Sequence, residues 1–218
     1  MELDLRFLRQ KNLVDQKKLE RLKVCIVGLG GLGSFVSLEL AYLGINNLIL
    51  IDKDIVDISN LNRQVLYGIK DIGKKKVYVA KEELERKFPN LNIEIYDKDI
   101  KEINELSCDI IFDCLDNWKD KFYLDNLAHK LDIPLIHGGV RDFKGQVYFH
   151  IPNKNPCLKD LIKIKGEENN DTIVSACGLV ASLMVQLLVL YLNGEEVWKY
   201  LYLIRKDEIK KIKVKEIK

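Results

Sequence analysis

Residues 22–54 hold the feature that most constrains this chain. They carry a strand that ends in glycines, then a helix, then a second strand that ends in an acid. The run Val24-Cys25-Ile26-Val27-Gly28-Leu29-Gly30-Gly31-Leu32-Gly33 passes abruptly from apolar, β-branched residues into a glycine turn. Residues 34–43, rich in Leu, Val, Ala and Ser, have helical character, and the apolar run 47–51 finishes in Asp52. Gly28, Gly30, Gly31 and Gly33 satisfy the G-x-G-x-x-G spacing in the strand-to-helix setting it requires. Bare backbone N–H groups at a helix N-terminus suit the phosphates of a nucleotide. Asp52, about 20 residues beyond the last glycine, stands where an acid binds ribose hydroxyls. On these residues alone, a redox dinucleotide and a nucleotide substrate both remain open.

The 218 residues suit one α/β domain with an appendage. Strands and helices alternate as far as residue 151, which argues for a Rossmann-like, mostly parallel sheet flanked by helices. Residues 200–205 and 211–215 resemble a hairpin, so an antiparallel C-terminal extension of the sheet is expected. The expected organisation is a single domain over 1–218. It comprises a helical arm at 1–20, a nucleotide-binding core at 22–151, a flexible loop at 152–172, and a core helix with C-terminal strands at 173–218. The 35 basic and 33 acidic residues balance, which predicts neither a nucleic-acid nor a membrane surface. The longest apolar run, 178–192, is broken by Gln186, falls short of the roughly 20 residues a bilayer span needs, and reads as a buried helix. Cys25, Cys108, Cys114, Cys157 and Cys177 show no C-x-x-C spacing, and no secretory signal precedes them. Reduced thiols and a cytoplasmic location are expected.

The loop after Asp52 carries more chemistry than a ribose acid needs. Asp54, Asn60, Arg63 and Gln64 follow within a dozen residues, and Lys76 opens the next helix behind Gly73. Amide, guanidinium and ammonium groups are those to gather around a triphosphate whose pyrophosphate must leave. Lys74 and Lys75 read as surface charge, because three consecutive lysines cannot all face inward from a helix. Asp116, followed by Asn117, lies just past a buried strand, in the crevice where ligands of open α/β sheets bind. A carboxylate facing phosphates there suits Mg²⁺. Asp113 has a plainer role as a strand-end residue bonding to backbone. His129, His137 and His150 lie far apart, with no ligand spacing, and read as packed or solvated. Cys157, beside Pro156, is the cysteine expected to be reachable.

Taken together, the stretches Arg6-Phe7-Leu8-Arg9-Gln10, Val27–Gly33 of the turn, Asp52-Lys53-Asp54, Ser59-Asn60-Leu61-Asn62-Arg63-Gln64, Gly73-Lys74-Lys75-Lys76 and Cys114-Leu115-Asp116-Asn117 resemble the ThiF/MoeB/HesA family. These are adenylating enzymes related to ubiquitin-activating enzymes. Arg141 with Gly145-Gln146, and Pro156-Cys157, extend the likeness over about residues 5–205. The resemblance implies an adenylyltransferase. ATP and the C-terminal Gly-Gly carboxylate of a small ubiquitin-like sulfur carrier would give an acyl-adenylate and pyrophosphate, for thiamine, molybdopterin or tRNA-thiolation pathways. By the same likeness the glycines and Asp52 hold the nucleotide, and Asn60, Arg63 and Lys76 hold the phosphates. Asp116 binds Mg²⁺, and Arg9 reaches the partner's site in a homodimer.

Departures from the family pattern bear on the expectation. Many relatives carry two C-x-x-C pairs for a structural zinc. Here Asp160 replaces the second cysteine of the first pair and the C-terminus has none, so no zinc is expected. No residue matches the crossover-loop cysteine that takes over the carrier in some members, and a separate sulfurtransferase would then supply sulfur. Lys121 stands for the family's arginine after Asp116-Asn117. Two alternatives stay open: adenylation of a small or tRNA-bound carboxylate, and a non-catalytic subunit paired with an active relative.

Overall fold

The computed structural model describes residues 5–163, 171–206 and 208–215. One eight-stranded sheet has the order β3-β2-β1-β4-β5-β6-β7-β8. Its parallel part comprises β1 (Lys23–Val27), β2 (Asn47–Ile51), β3 (Asn92–Tyr96), β4 (Ile110–Asp113) and β5 (Leu135–Arg141). Strands β6 (Lys144–His150), β7 (Tyr200–Arg205) and β8 (Glu208–Lys213) continue it antiparallel. The fold is thus the expected one, with the hairpin's second strand starting earlier, at Glu208.

Strand β1 is buried on both faces, as central parallel strands are. Its side chains alternate between two cores. Val24 and Ile26 join Val36, Leu40, Val77 and Met184, while Cys25 and Val27 join Leu124, Ala128 and Leu135. The first core is roofed by α2 (Gly31–Leu43), α3 (Lys76–Lys87) and α6 (Val174–Leu192), the second by α4 (Trp118–Lys130). Helix α6 is long and apolar enough to cross a bilayer by composition, yet it lies on the sheet, burying Val180, Met184 and Leu188.

Several boundaries differ from expectation for physical reasons. Helix α2 begins at Gly31 instead of residue 34, since the first turn needs no intrahelical N–H partner and tolerates glycine there. Strand β5 runs through Gly138 and Gly139 to Arg141, because both glycines pair with β6. Within 152–172, residues 164–170 lie outside the described residues. The part before them is ordered by Asn155, which is fully buried and bonds Ile151 N–H and the carbonyls of Phe149 and Trp198. It also holds a short helix, α5 (Leu158–Leu161). In the arm, Asp15 caps α1 (Gln16–Arg21) by accepting the Lys18 N–H.

After β1 the chain moves outward through β2 and β3, then returns to place β4 on the other side of β1. That reversal opens a crevice at the carboxyl ends of β1 and β4, where open α/β sheets bind ligands.

Candidate nucleotide-binding site

The crevice is a cleft of about 320 Å³. Its floor is the glycine turn. Gly28 adopts φ +87°, a conformation costly for any residue with a side chain, and donates its N–H to Ile51 O at 2.8 Å. Gly33 packs directly on the Gly28 carbonyl, where a Cβ would find no room. Gly30 caps α2 without a side chain, so the first-turn N–H groups open toward the cleft. Tyr67 braces the turn by donating its hydroxyl to Leu29 O at 2.9 Å.

Asp52 closes the turn from β2. Its Oδ2 accepts the Leu29 N–H at 2.6 Å and its Oδ1 the Asp54 N–H at 2.8 Å. Burial pushes its carboxyl up, while the Lys76 ammonium and those two N–H groups pull it back. Asp52 therefore shapes the turn as well as facing the cleft. Lys76 is nearly buried and donates its Nζ to Asp54 Oδ2 at 3.1 Å. Its own N–H bonds Asp54 O, tying the start of α3 to the end of β2. Lys74 and Lys75 turn away to Asp71 and Asp97, as their expected surface role requires.

Of the residues expected at the site, Gly28, Gly30, Gly31, Asp52, Asp54, Arg63, Gln64, Lys76, Asp116 and Asn117 line this one cleft. Gly33 lies beneath it. Arg63 is anchored by Nη1 bonds to Ser59 O at 2.8 Å and Asn62 Oδ1 at 2.9 Å. Gln64 is buried, and among the described residues its Oε1 has no hydrogen-bond partner. That acceptor stands ready for a ligand hydroxyl or amino group. Asn60 is not among the lining residues. Its Oδ1 accepts the Asp57 N–H at 3.2 Å, so it holds the loop carrying Arg63. Arg9 also stands away from the cleft, in the arm that Phe7, Gln10 and Gln16 fasten to the far end of α2.

Asp116 is exposed at the cleft wall, and its Oδ1 accepts a long bond of 3.3 Å from Asn117 Nδ2. Asn117 caps α4 through the Asp120 N–H at 2.9 Å. Such a carboxylate fits a hydrated divalent cation between protein and phosphate. Asp113, by contrast, is fully buried. Its Oδ1 accepts Lys121 Nζ at 3.2 Å and the Leu115 N–H at 3.1 Å, and its Oδ2 faces His137 Nδ1 at 2.7 Å. Lys121 is thus a structural cation below the cleft.

Lys53, Lys98, Asp99, Asp120, Thr172 and Cys177 also line the cleft and were not singled out by sequence. Lys53 pairs with Asp99 at 2.7 Å, and Cys177 lies against Gly31. The signal that could have found Lys98 is positional. It follows the carboxyl end of β3 as Asp52 follows β2 and Asp116 follows β4.

The sequence matches the ThiF family over residues 3–217. It is 40% identical over 174 residues to the molybdopterin-synthase adenylyltransferase of Haemophilus influenzae, covering 75% of this chain and 71% of that protein. It is 34% identical over 155 residues to the sulfur carrier protein adenylyltransferase of Thermus thermophilus, covering 67% and 57%. A third relative, the probable molybdopterin-synthase adenylyltransferase of Porphyra purpurea, is 34% identical over 181 residues, covering 81% of this chain and 47% of that protein. The structure superposes on E. coli MccB crystallised with ATP at a TM-score of 0.84 and 24% identity, covering 98% of this chain and 72% of that one. At that identity the likeness establishes the fold.

Proposed function

The chain belongs to the ThiF family, and on that premise we propose that it adenylates the C-terminal Gly-Gly carboxylate of a ubiquitin-like sulfur carrier protein. The observation that carries the proposal is the convergence of Arg63, Lys76, Lys98 and Asp116 in one cleft, over a helix start that no side chain caps. A hydride-transferring site needs no such set of cations beside a free carboxylate. The names of the Haemophilus and Thermus relatives support the same activity and substrate class.

In this reading ATP lies with its ribose toward Asp52 and its phosphates over the start of α2. Arg63 and Lys76 neutralise the phosphates, so that the carrier's carboxylate can approach the α-phosphorus. One carboxylate oxygen bonds to that phosphorus as the bond to the bridging oxygen breaks, and pyrophosphate leaves with the electron pair. Positioning and charge neutralisation do this work, and no general base is required. Asp116 would hold Mg²⁺, which supplies further neutralisation of the phosphates.

Arg9 acts in trans in this proposal. Helix α2 has 13 residues and so spans about 20 Å. The arm is fastened at its far end, which keeps Arg9 from its own cleft and leaves it available to a partner's. Exposed Leu5, Leu8 and Leu13 on the arm supply apolar surface for a homodimer. Free cysteines suit a reducing cytoplasm, with sulfur delivered by a separate sulfurtransferase.

The test is carrier-dependent ATP–pyrophosphate exchange, using small Gly-Gly-ended proteins from the same genome. Exchange should appear with one of them and collapse in Asp116→Ala and Arg63→Ala. Absence of exchange with every such carrier refutes the proposal, and exchange that requires tRNA instead would move the substrate to a tRNA-bound carboxylate.

A further inference from the structure

We propose that His129, His150 and Cys157 form a binding site for a tetrahedral transition-metal ion, Zn²⁺ by donor type, remote from the nucleotide cleft. The three residues are far apart in sequence, and the fold brings their ligand atoms within 4.8 Å of one another. His129 sits in the last turn of α4, His150 ends β6, and Cys157 precedes α5. Cys157 Sγ lies 3.8 Å from His129 Nδ1 and 4.0 Å from His150 Nε2. With Zn–S near 2.3 Å and Zn–N near 2.0–2.1 Å, a tetrahedral centre places sulfur and nitrogen about 3.6 Å apart. Each sulfur–nitrogen distance therefore needs to close by only a few tenths of an ångström, and the two nitrogens, which lie within 4.8 Å of each other, need to reach about 3.4 Å. The two imidazoles are nearly parallel, at 9°, and both present a nitrogen to the sulfur. A nucleophilic thiol needs one base, whereas a metal needs several donors.

The surroundings are built to hold that arrangement. Asp125, buried one turn before His129, accepts His150 Nδ1–H at 2.7 Å. That bond fixes the tautomer whose Nε2 lone pair faces Cys157, the carboxylate–histidine pairing seen behind metal ligands. The other Asp125 oxygen accepts the Leu158 N–H at 2.8 Å, clamping the residue next to Cys157. Buried Asn155 and the bond from Tyr148 hydroxyl to Pro156 O at 2.8 Å fix the approach of the loop. A fourth position is left for water. The site is distinct from the cleft. Helix α4 starts at the cleft and carries His129 to the opposite end, and His150 pairs with Leu135 at the start of β5. Its role is to staple α4, β6 and the 151–157 loop together. The donors differ from the four cysteines of the family's zinc site, of which only Cys157 has a counterpart here.

The test strips the full chain with a chelator and titrates it with ZnCl₂ and CoCl₂. One equivalent of Zn²⁺ should bind, and the cobalt form should show thiolate-to-metal charge-transfer absorption. Cys157→Ser should abolish that absorption. Cys157→Ser and His129→Gln should each lower zinc affinity by more than about a hundredfold, and Asp125→Asn by about ten- to a hundredfold. Both direct ligands changed are half-buried, so the melting temperatures of their metal-free forms should match that of the unsubstituted protein. Without any substitution, zinc should slow alkylation of Cys157 at least tenfold and leave Cys108 unaffected. Equal zinc affinity in Cys157→Ser, a cobalt form lacking the thiolate band, or unchanged alkylation of Cys157 would overturn the proposal.

Discussion

Gly33 is seated on the carbonyl of Gly28: a methyl group at position 33 would overlap that oxygen and lie 2.9 Å from its carbonyl carbon. Gly28 cannot retreat, because its own Cβ position faces Cys114 O at 2.8 Å and its φ is +87°. Gly33→Ala should therefore force the turn apart, costing about 1–3 kcal/mol or more, with a lower melting temperature and loss of ATP binding by calorimetry. Gly30 has only Gln64 Nε2 nearby, at 3.6 Å. Gly30→Ala should keep the melting temperature. A Gly33→Ala protein that melts like the unsubstituted one would contradict this packing.

Lys98 tests whether the cleft's cations act on phosphate. It is exposed at the cleft wall, whereas Lys74 is engaged with Asp71 and lies outside it. Lys98→Ala should raise the ATP dissociation constant about tenfold, the lower end of what a hydrogen bond to a charged group contributes. Lys74→Ala should leave it unchanged. Equal effects of the two substitutions would mean that Lys98 contributes only general surface charge.

The buried pair below the cleft predicts a pH dependence of stability. His137 is fully buried between Asp113 Oδ2 and Gln146 Nε2. Burial holds its pKa below the ordinary 6.5, and the Lys121 ammonium adds to that depression. The unfolded chain thus takes up this proton at a higher pH than the folded chain does. The contribution to stability is complete above about pH 6.5 and is lost as pH falls toward the folded value. Asp113 adds a more acidic phase. Burial raises its pKa, but Lys121 and His137 outweigh burial and hold it below 3.8, so this contribution is lost as pH falls below that value. Denaturant unfolding should show stability declining below about pH 6.5, by up to about 1.4 kcal/mol per pH unit for one proton. His137→Gln should flatten the upper part of that decline. Equal slopes in the two proteins would place the titrating group elsewhere.

The sequence disclosed most of the cleft because its parts are local. A glycine turn, a strand-end acid and a polar loop each occupy a few consecutive residues, and their strand ends converge wherever a parallel sheet reverses order. It disclosed less where side chains turn back on the backbone. The residue types of Asp52 and Asn60 suggested ligand contacts, but spacing cannot show that Asp52 also closes the Leu29 turn or that Asn60 caps its own loop. The lining role of Lys98 was hidden among many surface lysines. The approach of His129, His150 and Cys157 was not legible at all, since it depends on how α4 packs beside β6.

The proposed action of Arg9 in trans makes a prediction that a single-subunit site cannot meet. Arg9→Ala leaves the cleft of its own chain intact, and Asp116→Ala leaves the arm of its own chain intact. Each substituted homodimer should lack exchange activity, because every site in it misses one group. Mixed after subunit exchange, half of the dimers are heterodimers, and in each of these one site carries both Arg9 from one subunit and Asp116 from the other. Activity should recover to about a quarter of the unsubstituted value, the statistical result for a two-fold symmetric dimer. Mixing without exchange of subunits, held at low temperature, should restore nothing. If Arg9→Ala alone retains full exchange activity, or if the mixture stays inactive although heterodimers are detected by mass spectrometry, Arg9 does not serve the partner's cleft.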